Sequence, residues 1–181
     1  LGKDATLPGV TPADVAATIN ALMKGNLSLQ QSIDSSRGSL QLATIAQLDF
    51  GEAADITSGI LNMFGLEGTD AARVIDLIAG ASIASSKGVG DMATGVSQGG
   101  FAFAAAKRPI EEYVTALTLA TNAGLGGSDA GTAIKNAMIR MMSPTKKARE
   151  AMAEFGISFY DASGKMKPFP AIVAQINEKL K

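Results

Sequence analysis

The sequence predicts an all-α fold: a compact array of about eight or nine short antiparallel helices, with one small β-hairpin near 157–168. Three observations predict it. Helix-start signals recur roughly every twenty residues from Ser28 to Ser128. The apolar residues between them follow the three-or-four spacing of a half-buried helix. The stretch Asn122-Ala-Gly-Leu-Gly-Gly-Ser-Asp-Ala-Gly-Thr-Ala-Ile134 then stops one helix and starts another with almost nothing between them.

The elements follow in chain order. Residues 1–10 read as a flexible lead-in. Thr11-Pro-Ala-Asp14 offers a Thr cap, a Pro at the first helical position and an acid at the third. Val15, Ile19, Leu22 and Met23 then share a face. Ser28-Leu-Gln-Gln31 is a capping box, and Asp49-Phe-Gly-Glu52 an acidic version ahead of Phe50, Ala53, Ile56, Ile60 and Phe64. Thr69-Asp70 opens the helix that carries Val74, Leu77, Ile78 and Ala81. Gly88-Val-Gly-Asp91 is a weaker start, and Pro109-Ile-Glu-Glu112 precedes Val114, Leu117 and Ala120. In the long glycine-rich stretch, Gly124, Gly126 and Gly127 supply left-handed or tight backbone, and Ser128 caps the helix of Ile134, Met138 and Met141.

Ser143-Pro144 repeats the cap-plus-Pro device ahead of Ala148, Met152 and Phe155. Ile157-Ser-Phe-Tyr160 alternates, Asp161-Ala-Ser-Gly164 is turn chemistry with Gly164 at its tip, and Lys165-Met-Lys-Pro168 returns as the second strand. A last helix starts near Pro170, with Ile172, Ile176 and Leu180 on one face. The regular step is compatible with a solenoid-like array of two-helix units of about forty residues. A bundle of helices matched in length gives the same pattern. The whole chain reads as one helical module, and its start at Leu1 and stop at Lys181 within a helix read as a fragment of a longer protein.

Composition removes several function classes. The chain has 181 residues, 46% of them apolar and 18% charged, enough for a buried core. Its formal net charge of −1 argues against a nucleic-acid platform, and no direct nucleic-acid binding is expected. Cysteine and histidine are both absent, which removes thiol nucleophiles, imidazole bases and Cys/His zinc sites. No catalytic, cofactor-binding or metal-binding residue is assigned. No apolar run is long enough to span a membrane.

The remaining motifs have structural readings. Gly124-Leu-Gly126-Gly127 follows a helix, whereas a dinucleotide fingerprint follows a strand. Asp161-Ala-Ser-Gly-Lys165 lacks the alternating carboxylates and distal Glu of a calcium loop. Glu111-Glu112 and Asp49/Glu52 sit at helix starts, where the dipole favours negative charge. Gly95 and Gly99, four apart inside a helix, point to a close internal crossing; the alternative is a partner surface anchored by Phe101 or Phe103.

Taken in order, these residues resemble the core region of phage tail tape measure proteins of long-tailed phages and prophages. The resemblance is carried by Leu48-Asp-Phe-Gly-Glu-Ala-Ala-Asp-Ile-Thr-Ser58, Phe64-Gly-Leu66, Ala71-Ala-Arg-Val74, the Asn122–Ile134 block, Arg140, Ser143-Pro-Thr145, Phe155-Gly-Ile157 and Asp161-Ala-Ser-Gly-Lys-Met-Lys-Pro168. It spans about residues 11–181. The chain departs from the pattern at Lys107-Arg108-Pro109, where such proteins often carry a Gly and a Ser cap. The resemblance implies a structural protein that sets tail length, occupies the lumen of the tail tube in the virion and is assembled in the host bacterial cytoplasm. It implies tail tube subunits, tail assembly chaperones and tail-tip proteins as partners, with self-association a further option, and it supplies no catalytic residues. Two other classes remain open on the residues alone: a helical-repeat adaptor that binds a partner along an apolar groove, and a cell-wall hydrolase with a convergent carboxylate pair.

Overall fold

The computed structural model describes residues 7–179. Among them are nine α-helices: α1 (Pro12–Lys24), α2 (Leu29–Ala46), α3 (Phe50–Phe64), α4 (Ala71–Ile83), α5 (Val89–Ala105), α6 (Ile110–Asn122), α7 (Gly127–Met142), α8 (Lys146–Glu154) and α9 (Phe169–Lys179). A 3-10 turn, Gly68–Asp70, leads into α4. No helix among the described residues is long and apolar enough to cross a membrane.

Local chemistry places the first three starts. The Thr11 hydroxyl accepts from Asp14 N at 3.2 Å, and Asp14 Oδ2 accepts from Thr11 N at 2.9 Å. Ser28 and Gln31 make the same reciprocal pair, at 3.2 and 3.1 Å. Asp49 Oδ1 accepts from Gly51 N at 2.7 Å. Each bond satisfies a donor that the helix leaves orphaned.

Three expected caps lie elsewhere. Thr69 sits inside the 3-10 turn rather than at its mouth, because Asp70 reaches back to accept from Glu67 N at 3.1 Å. Ser128 lies inside α7; Gly126 takes the cap position, and a carboxylate from another helix supplies the acceptor. Ser143 closes α7 instead of opening α8, whose cap is Thr145, with its hydroxyl accepting from Ala148 N at 3.2 Å. Of the three clustered glycines only Gly124 has a left-handed backbone, with φ +102°. Gly164 has φ +78°.

The expected β-hairpin at 157–168 is not formed: among the described residues there is no strand. One isolated antiparallel bridge pairs Tyr160 with Met166. Two cross-backbone bonds flank it, Asp161 N to Lys165 O and Lys167 N to Phe159 O, both at 2.9 Å, and side chains take the donors that would extend them. Asp161 Oδ1 accepts from Ser163 N, Ser163 Oγ and Lys165 N at 2.6 to 3.0 Å, which curls the backbone into a local turn. The next inward donor, Phe169 N, goes to Glu112 Oε2 instead, and an isolated pair this short has no sheet to join.

The main core draws on α2 to α7 and takes Met166 and Ile172 from the C-terminal segment. A second cluster around Leu22, Ala54, Leu61 and Ala71 ties α1 and α3 to α4. Leu7 and Val10 pack with Leu40 of α2, while residues 1–6 of the expected lead-in lie outside the described residues. Leu180, expected on the face of the last helix, also lies outside them.

Helix α2 is central and unusual, since it buries Ser32, Ser35, Ser36 and Ser39 together with Gly38. Ser32, Ser35 and Ser36 donate to carbonyls one turn back at 2.7 to 2.8 Å, so these hydroxyls are buried without an unmet donor. Ser39 Oγ has no partner among the described residues.

Candidate functional site: a glycine crossing and the surfaces beside it

The most extensive helix pairing in the chain joins α5 to α7. It rests on four glycines. A Cβ added at Gly95 would lie 2.7 Å from the Gly127 carbonyl oxygen, and one at Gly99 would lie 2.3 Å from that of Gly131. From the other side, a Cβ at Gly127 would meet the Asp91 carbonyl oxygen at 2.1 Å, and one at Gly131 the Gly95 oxygen at 2.4 Å. Positions 91, 95 and 99 therefore lie along positions 127 and 131, with backbone against backbone at a spacing of one turn.

Two side chains lock this crossing. The Tyr113 hydroxyl of α6 is buried in the space the glycines leave, and it donates to the Gly95 carbonyl at 2.6 Å. Burial pushes its ionisation up, so it stays a neutral donor. Both carboxylate oxygens of Asp91 accept from Gly127 N at 3.1 Å. One acid thus serves the first turn of α5 and the N-terminus of α7 together.

Beside the crossing, a partly buried ion pair holds the C-terminal segment. Arg108 Nε donates to Glu112 Oε2 at 3.0 Å, and its Nη2 pairs with Glu112 Oε1. Arg108 Nη1 also reaches the Met166 carbonyl at 3.3 Å, and Glu112 Oε2 accepts from Phe169 N at 3.0 Å. Burial pushes the Glu112 carboxyl up, but these hydrogen bonds and the Arg108 charge outweigh it and hold it below the usual carboxylate range. Glu111 is engaged separately with Arg73, and Arg73 with Asp70 at 3.2 Å. No group of three or more Asp, Glu, His or Cys among the described residues is placed to hold a metal.

The two candidate contact residues part ways. Phe101 is 47% exposed, whereas Phe103 is fully buried. The Phe103 ring lies 5.0 Å from Tyr113 and 5.3 Å from Phe169, in tilted arrangements. Phe103 is therefore a core residue, because alternate small residues turn this face of α5 toward α6 and α9. Two apolar grooves flank α6. One, of about 440 Å³, lies against α4 between Leu77, Ala81, Val114 and Leu119. The other, of about 310 Å³, lies against α9 between Ala116, Leu119, Phe169 and Val173. Leu119, shared by both, is 67% exposed.

Sequence reasoning missed Asp91, Tyr113 and Arg108 as organising residues. A signal existed for one of them: Tyr113 stands beside Ile110, Val114 and Leu117 on an apolar face, where a phenol needs a buried acceptor. The other two act between helices distant in sequence, and spacing alone does not pair them.

Comparisons with known proteins bear on the family of the chain. The model of a family described as phage-related minor tail protein matches residues 1–181. The chain is 29% identical over 163 residues to the tape measure protein of Pneumococcus phage Dp-1, which covers 90% of this chain and 14% of that protein. The chain thus spans a small part of that relative's length. No solved structure matches it.

Proposed function

From the premise that this chain belongs to the phage-related minor tail protein family, we propose that it is a folded module of a tail tape measure protein, acting in tail assembly and length determination through protein contacts. It is a structural component and not an enzyme. The observation that carries this reading is the match across 90% of the chain to a tape measure protein. The resemblance of the Asn122–Ile134 block and the Asp161–Pro168 turn points the same way.

Its partners are tail tube subunits, tail assembly chaperones and tail-tip proteins, and its place is the lumen of the tail. Residues 1–181 act as one module of a longer chain. A continuous helix of this length would reach about 270 Å. The nine separate helices among the described residues, six of them around a shared core, suit a module carried by a ruler better than the ruler itself. In-frame deletion of the module's coding region from its phage or prophage is expected to abolish tails or give tails of aberrant length in electron micrographs. Tails of normal number and length after deletion would overturn the assignment.

A further inference from the structure

The C-terminal segment is attached differently from the rest of the fold. α8 buries no residue, and α8 and α9 approach the other helices only sparsely at the backbone. α9 buries Ile172 alone. A groove stays open between α6 and α9, and Gln175 Oε1 in α9 is buried without a partner among the described residues. Helix α9 is therefore incompletely seated. By contrast, the α5–α7 crossing is backbone on backbone and admits no added carbon.

Met166, Phe169 and Ile172 hold the segment by apolar contact, and its polar fastening to α6 is concentrated at one point. The Arg108–Glu112 pair, with side chains 10% and 17% exposed, grips it at the Met166 carbonyl and the Phe169 amide. Both gripped groups are main-chain atoms, so the pair holds the path of the segment rather than one side chain. Charge-assisted bonds of this kind are strong when shielded, and removing one partner leaves the other uncompensated.

We propose that residues 157–179 form a strap that detaches from α6 as a unit while α1 to α7 stay folded, and that Arg108–Glu112 is its latch. Low-stability segments with few buried contacts open independently of the core that carries them. Opening bares Phe103, which Phe169 covers in the closed state. The strap thus makes an aromatic surface available only on release.

Amide hydrogen exchange of the 181-residue chain tests this. In the unmodified protein, amides of 171–179 are expected to exchange at least about tenfold faster than those at the α5–α7 crossing. Glu112→Gln should speed exchange across 166–179 by about tenfold or more while α5 and α7 stay the more protected. Ile172→Ala, which loosens the strap without touching the latch, should have the same effect. Equal protection of strap and crossing in the unmodified protein overturns the proposal. So does a Glu112→Gln or Ile172→Ala effect that spares the strap, or one that brings α5 and α7 down to the protection of the strap.

Discussion

At Tyr113 a single phenol fills the space that Gly99 and Gly131 leave, and its hydroxyl ends 2.6 Å from the Gly95 carbonyl. Tyr113→Phe keeps the ring and deletes that bond, so it should lower unfolding free energy by about 1 kcal/mol in a denaturant titration. A loss no larger than that of an exposed substitution would mean the bond is idle. Glu112 gives a second prediction, in acid. Its folded value is depressed below the ordinary 4.5, so the stability it adds is present above that value and lost as pH falls through the depressed one. Arg108 is the charged group paired with it among the described residues. Exchange at 166–179 should therefore accelerate below pH 4.5 before exchange in α5 or α7 does. Simultaneous loss of protection in all three would contradict the assignment of Glu112 to the strap.

The helices differ in how they were legible. α1, α2 and α3 carry their starts in local residues, and the Thr11, Ser28 and Asp49 hydrogen bonds involve neighbours two or three positions away. α7 does not. Its start is served by Asp91, thirty-six residues earlier, so a local reading settled on Ser128. α2 was recognised by its cap, yet its buried face was invisible to hydropathy because serines line it. The turn at 161–165 shows the opposite error: alternating residues suggest strands, and the Asp161 carboxylate takes the Lys165 N–H that a ladder would have used. Glycines need the structure to be sorted. Gly99→Ala drives a carbon to 2.3 Å from a backbone oxygen and should destabilise by about 3 kcal/mol, whereas Gly59→Ala in α3 meets nothing within 4 Å and should stabilise by about 0.5–1 kcal/mol. Thermal or chemical melts of the two variants read this directly, and similar shifts in both would discount the crossing.

For the molecule as a whole, sequence spacing supplied the helical class and the resemblance supplied the family, while the order of assembly came only from the structure. Which helix lies on which is decided by small residues that carry no hydropathy signal, such as Gly95 against Gly127 and Gly99 against Gly131. The same small residues let α2 to α7 close over a shared core, which makes the described residues a folded body rather than a length of rod. Tail length in phage particles measures that distinction. An insertion of twenty helix-forming residues after Ser86, an exposed position between α4 and α5, leaves tail length unchanged if the module is carried by the ruler. If the chain were part of the ruler, the same insertion would lengthen the tail by about 30 Å, and tails longer by that amount would contradict the account.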